Sequence, residues 1–212
     1  MENLNANHIT ESVLERLANT PDPRLKEIML SLVRHLHGFA REVKLTEAEW
    51  LKGIEFLTQT GHITNAQRQE FILLSDVLGL SMLTVVMNND KPDACTQATV
   101  LGPFHVEDAP HYKLGDDVAN GAKGHPCQVQ GSVKGVQGEA VAHARIEVWQ
   151  SDEKGLYDVQ YADRSQHQAR GILTADAQGR FHFQSILAMP YPLPQDGPVG
   201  QLLQATARHP LR

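Results

Sequence analysis

Apolar positions along the first ninety residues recur at helical spacing. Leu25, Ile28, Met29, Leu32, Val33 and Leu36 fall on one face of a helix, with Asp22 and Pro23 as its N-cap and first-turn residue. Trp50, Leu51, Ile54 and Leu57 repeat the pattern behind a capping box of Thr46 and Glu49, and Gly61 is expected to end that helix. A second box, Thr64 with Gln67, opens a further stripe of Phe71, Leu74, Leu78 and Met82. From about Pro92 the helical period is lost and Gly and Pro punctuate short segments. Beyond Cys127 the period becomes two: Ala144, Ile146 and Val148 alternate with Arg145, Glu147 and Trp149, and Phe181 and Phe183 with His182 and Gln184, beside a turn at 176–179. Helices followed by strands predict an α+β chain, not alternating βαβ units. The expected parts are a helical domain over 1–91, a linker over 92–126 and an antiparallel β-sandwich over 127–212, with roughly five strands.

Composition supports a folded chain and narrows its partners. At 212 residues and 41% apolar content the chain can bury a core. Its net charge of −6, from 25 acidic and 19 basic residues, comes with no basic run to track phosphates or anionic lipid, so nucleic acid and membrane partners are not expected. The N-terminus, Met1 to Asn7, carries no secretory pattern, which points to the cytoplasm. Cys95 and Cys127 stand alone and read as reduced thiols.

Familiar catalytic signatures are missing: there is no GxSxG, GxGxxG, Walker loop or HExxH. His35 and His37, two apart on a helix, point to different faces and are read as structural. The unusual stretch is 188–200, Ala-Met-Pro-Tyr-Pro-Leu-Pro-Gln-Asp-Gly-Pro-Val-Gly, where prolines and glycines hold Tyr191 in a stiff loop. By composition alone the favoured reading is a structural turn with Tyr191 packing on the sandwich.

Three segments, in order, resemble the intradiol ring-cleavage dioxygenase family, and within it the hydroxyquinol-cleaving branch, a relative of the catechol-cleaving one. They are Ala98 to Pro110 (ATVLGPFHVEDAP), Val148 to Asp158 (VWQSDEKGLYD), and the proline-rich loop running on to the terminal Arg-His-Pro-Leu-Arg of 208–212. The resemblance implies ferric iron, Fe(III), held by two tyrosines and two histidines with hydroxide completing the shell; Tyr157 and Tyr191 match the tyrosines. A phenol ionises when a trivalent cation replaces its proton, and hard anionic oxygen suits hard ferric iron. The resemblance further assigns Leu73, Asp76, Val100, Leu101, Gly102, Pro103, Phe104, Leu193, Pro194 and Arg212 to the substrate pocket, with Tyr191 and Arg212 as catalytic groups. Asp76 favours hydroxyquinol, since a carboxylate can accept a hydrogen bond from the third hydroxyl that catechol lacks. The other reading of Asp76 is a solvent-facing helix residue.

The expected reaction is cleavage of hydroxyquinol with O2 to a hydroxymuconate and on to maleylacetate, with catechol or chlorocatechol as alternative substrates. The family's N-terminal helices further imply a homodimer, with a lipid-filled tunnel as a possible companion. One departure stands against this picture. The family's histidine ligands follow the HPxR segment, and no residue up to Arg212 matches them; His209 matches the preceding segment instead. The expectation is therefore that a polypeptide ending at Arg212 is a truncated form with an incomplete sandwich, which neither loads iron nor turns over. An inactive remnant acting as a binding or dimerisation module is the alternative.

Overall fold

A computed structural model describes residues 6–65, 68–162 and 166–208. The chain divides into two compact units, residues 1–58 and 59–212.

In the first unit, α1 (Ala6–Arg16) packs on α2 (Pro23–Glu42), and α3 (Glu47–Ile63) begins there and runs on into the second. The start signals operate as read. The Asp22 carboxylate accepts from the Arg24 and Leu25 amides at 2.8 and 3.0 Å. The Thr46 amide donates to Glu49 Oε2 at 2.9 Å while the Glu49 amide donates back to Thr46 Oγ1 at 3.3 Å. Gly61 does not end α3, which continues through it to Ile63. His37 bonds Thr10 at 2.9 Å, a contact between α1 and α2. The apolar stripe of α2 stays exposed along Leu25, Ile28, Leu32, Leu36, Phe39 and Val43.

In the second unit the stripe expected as one helix forms two, α4 (Glu70–Val77) and α5 (Leu80–Asn88), bent by 75°. Gly79, at φ 78, takes the left-handed conformation that stops a helix, so the regular spacing of Phe71 to Met82 spans a corner. Thr64 does not cap α4: its hydroxyl donates to the Thr60 carbonyl at 2.7 Å, the helix starts at Glu70, and Gln67 lies outside the described residues. Among the described residues no single helix is long and apolar enough to cross a membrane, although the bent α4–α5 pair would pass on length and composition together.

Four named strands follow among the described residues, where roughly five were expected: β1 (Pro126–Ser132), β2 (Arg145–Trp149), β3 (Arg170–Thr174) and β4 (Arg180–Ile186). They pair antiparallel as two two-stranded sheets, β1 with β4 and β2 with β3. Leu173 and Phe183, one from each sheet, are buried together with Val118, and Val129, Ile146, Val148 and Phe181 pack around them. That shared core is the sandwich predicted from period two. Gln150 ties the sheets, donating to the Ile186 carbonyl at 2.5 Å and accepting from Ser185 Oγ at 3.0 Å. A short helix the sequence reading missed, α6 (Pro198–Ala205), closes the described chain and packs on α4.

Candidate functional site

Two loops leaving the strands meet around three aromatic rings. The first leaves β2 and carries Tyr157; the second leaves β4 and carries Tyr191; Phe104 arrives from the segment before β1. Tyr157 and Tyr191 stand edge to face, with centroids 5.7 Å apart and planes at 77°. Phe104 stacks on Tyr157 at 4.5 Å and meets Tyr191 edge-on at 5.8 Å. All three are half-buried.

The Tyr157 loop is held by two buried aspartates. Asp152 accepts from the amides of Lys154 (2.9 Å) and Leu156 (3.2 Å), and through its other oxygen from the Tyr161 hydroxyl at 2.6 Å. Asp158, next to Tyr157, is gripped by Arg170 at the start of β3, whose Nε donates to both carboxylate oxygens at 3.0 Å and whose Nη2 donates to one at 2.6 Å. His167 Nδ1 at 3.1 Å, the Gln168 amide at 3.2 Å and the Val159 amide at 2.9 Å also bond it. Burial alone would raise the Asp158 pKa, but the bonds from Arg170 and His167, the Arg170 charge and the Gln168 amide together outweigh it, so its carboxyl is held below its ordinary value.

The two loops are pressed together. Ser151 Oγ donates to the Met189 carbonyl at 2.5 Å. Gly155, at φ 74, lies so close to the second loop that a Cβ there would stand 2.5 Å from the Pro190 carbonyl oxygen. On the outer side, His105 bonds Glu147 of β2 at 2.9 Å and stands edge-on to Trp149, which fixes the segment bearing Phe104.

Burial chiefly, and the neighbouring Tyr191 second, push the Tyr157 phenol above its ordinary pKa, with Arg170 acting weakly the other way. The Tyr157 phenol thus resists ionisation at its place beside Tyr191. A multivalent cation between them reverses that balance, so the pair suits a hard metal ion as two of its donors. Among the described residues no group of three or more His, Cys, Asp or Glu gathers as a metal site.

Of the other residues singled out in the sequence, Leu73 and Asp76 lie half-buried on α4, Val100 is half-buried, and Leu101, Gly102 and Pro103 are exposed ahead of Phe104. Leu193 is buried and Pro194 exposed in the loop after Tyr191. Ring contacts unite only Phe104, Tyr157 and Tyr191 among these residues. Arg212 and His209 lie outside the described residues. A concavity lined by Gly124, His125, Glu153, Leu187 and Met189 lies beside the loops, and the three rings are not in its wall.

Sequence reasoning missed the supports: Asp152, Asp158, Arg170 and Gly155. One signal was available, since Arg170 opens a strand whose next residues, Gly171 to Leu173, are all buried, and a charge in such a strand needs a partner.

Comparison with known proteins adds an independent line. Residues 22–96 match the family description "Catechol dioxygenase N terminus" and residues 100–212 match "Dioxygenase". The chain is 61% identical to a 6-chlorohydroxyquinol 1,2-dioxygenase of Cupriavidus pinatubonensis, over 100% of this chain and 77% of that protein. It is 36% identical to a catechol 1,2-dioxygenase of Candida albicans, over 96% of this chain and 68% of that protein. In structure it superposes on a hydroxyquinol 1,2-dioxygenase from Pseudomonas putida with a TM-score of 0.94 and 43% identity, covering 98% of this chain and 72% of that one.

Proposed function

The chain belongs to the intradiol ring-cleavage dioxygenase family, and on that premise we propose that it is a hydroxyquinol 1,2-dioxygenase that uses Fe(III). The observation that carries the reading is the edge-to-face pair of Tyr157 and Tyr191 against Phe104. Names of relatives give it direction: identity is 61% to a chlorohydroxyquinol enzyme against 36% to a catechol enzyme.

Members of this family use iron, and the chemistry of the donors fits it in part. Tyr157 and Tyr191 would hold the ion through two phenolate oxygens, and the resemblance makes two histidines the remaining ligands. The iron supplies a Lewis-acidic centre that acidifies the substrate hydroxyls and makes the ring reactive toward O2. The chain's own residues do the rest. Tyr191 takes a substrate proton on its phenolate oxygen. Phe104 and Leu193, with Leu73 and Val100, form an apolar wall that orients the ring, and Leu101, Gly102, Pro103 and Pro194 form its exposed rim. Asp76 accepts a hydrogen bond from the third hydroxyl, and Arg212 neutralises the anionic ring oxygen. Both atoms of O2 enter the product, a hydroxymuconate that tautomerises to maleylacetate.

The same reading includes a homodimer formed through the helices of the first unit. Its support is the exposed α2 stripe from Leu25 to Val43, a continuous apolar face of the kind that a second copy or an acyl chain covers. We assign the enzyme to the cytoplasm, in keeping with its two free thiols, Cys95 and Cys127.

The test has two arms. In an enzyme form that carries the family's histidine pair with these residues, ferric iron is expected to give a visible tyrosinate charge-transfer band that Tyr157→Phe and Tyr191→Phe each weaken and the double variant removes. Residues 1–212 alone, with two phenolates and no matched histidine, are expected to stay colourless. Oxygen uptake on hydroxyquinol should exceed that on catechol; equal uptake would overturn the substrate assignment, and none on either would overturn the dioxygenase reading.

A further inference from the structure

The proposed site draws on parts of the chain far apart in sequence: α4, which carries Leu73 and Asp76, and the loop that carries Tyr191. Three side chains join them. Arg68 grips the Asp196 carboxylate with a two-pronged fork, Nη1 to Oδ2 at 2.8 Å and Nη2 to Oδ1 at 2.9 Å. Its Nε donates to Glu70 Oε2 at 3.1 Å. Glu70 is 1% exposed, and its other oxygen accepts the Val199 amide in the first turn of α6 at 3.2 Å. Gly197 leaves room for this, since a Cβ there would stand 2.4 Å from Glu70 Oε1 and 2.6 Å from Arg68 Nη2. At the other end of the helix pair, Arg208 Nη1 donates to the Val77 carbonyl at 2.6 Å. α4 and α6 are thus tied start to start and end to end.

Stability alone does not call for this arrangement. Val77, Val199 and Leu203 already supply buried apolar surface on the two helices, and burying a carboxylate costs free energy that apolar residues of the same volume avoid. What a carboxylate with two directional partners adds is register: apolar contact tolerates sliding, whereas a fork and an amide bond do not. We infer that Arg68, Glu70 and Asp196 form a positioning clamp that fixes the Tyr191 loop against α4, and so sets the span between the Tyr191 phenol and the Asp76 carboxylate that hydroxyquinol must bridge. The inference rests on the substrate reading given above. An error of about an ångström in such a span is enough to cost a large factor in rate or affinity.

Asp196→Ala is the safer probe, because that carboxylate is 71% exposed and its loss removes the fork without opening the core. Glu70→Gln is the second: it keeps an acceptor for the Val199 amide and removes the charge that Arg68 reads. Two measurements separate the clamp from the reading it rests on. Amide hydrogen exchange on residues 1–212 is expected to quicken several-fold across 188–200 in Asp196→Ala, with β1 and β4 unchanged. In the form carrying the histidine pair, the KM for hydroxyquinol is expected to rise several-fold while that for catechol and both kcat values stay within about twofold. A merely structural role would lower stability and leave that ratio alone, so equal shifts in the two KM values overturn the clamp as a specificity device. If the unaltered enzyme turns over neither substrate, the substrate reading has failed and exchange alone decides: unchanged protection across 188–200 overturns the clamp, and quickened exchange supports it.

Discussion

The buried ion pair beneath Tyr157 makes a quantitative prediction. Asp158 and Arg170 have side chains 3% and 1% exposed, and three bonds of 3.0, 3.0 and 2.6 Å join them. Replacing Asp158 by Asn keeps the volume and removes the charge, leaving the Arg170 guanidinium uncompensated in the interior. The expected loss is about 3–5 kcal/mol, the usual consequence of breaking one side of a buried pair. Against a total stability of about 5–15 kcal/mol that is about a fifth or more. It corresponds to a fall in Tm of roughly 6–20 °C for a chain of this size. Denaturant unfolding at neutral pH measures it. The pH dependence supplies a check on cause. The Asp158 pKa is lowered in the folded protein, so its contribution is present above the unfolded carboxyl's pKa of about 3.9 and is lost as pH falls through the lower folded value. Wild type and Asp158→Asn should therefore converge in acid. Pairing Asp158→Asn with Arg170→Met should recover much of the loss, because the stranded charge is gone. A loss under about 1 kcal/mol at neutral pH, or no recovery in the double variant, would refute the reasoning.

Three further outcomes are expected. Gly155→Ala must adopt φ near 74 and push against the Pro190 carbonyl, so it should cost about 1–3 kcal/mol; a melting temperature within about a degree of wild type would contradict this. Asp76→Ala in the histidine-bearing form should raise the hydroxyquinol KM about tenfold, the worth of one hydrogen bond to a charged group, while the catechol KM holds; steady-state kinetics on both substrates decide it. Leu32→Asp combined with Leu36→Asp, on the exposed α2 face, should convert a dimer to a monomer in sedimentation, and an unchanged mass would discard α2 as the interface.

How much of this was legible in the sequence depended on the range of the interaction. Asp22 and the Thr46–Glu49 box act within four residues, so the reading located the starts of α2 and α3. Period two marked the strands for the same reason: it is a local consequence of one buried face. The α4–α5 corner was lost because Phe71, Leu74, Leu78 and Met82 keep helical spacing across it, and only Gly79 betrays the turn. α6 was hidden by the proline-rich loop, although Pro198 at its first turn and the spacing of Val199, Leu202 and Leu203 carry a helical signal.

The site divides along the same line. Tyr157 and Tyr191 were singled out by motif, because each motif is a contiguous string. Their mutual geometry, and all that enforces it, depends on pairs remote in the chain: Ser151 with Met189, Gly155 with Pro190, Arg68 with Asp196. None of these has a period or a spacing to read. Buried charge is the one clue that survives in sequence. An Arg opening a strand of buried residues, as Arg170 does, or a Glu at the first turn of an apolar helix, as Glu70 does, must find a partner somewhere, because desolvation makes an unpaired charge too costly to keep. Such residues announce that a long-range contact exists without saying where. In this chain both trails lead to the tyrosine-bearing loops: Arg170 pairs with Asp158 beside Tyr157, while Glu70 accepts the Val199 amide and bonds Arg68, which in turn grips Asp196 shortly after Tyr191. Among the described residues the buried charges Glu70, Asp152, Asp158 and Arg170 all bond within, or next to, the loops that carry the two phenols.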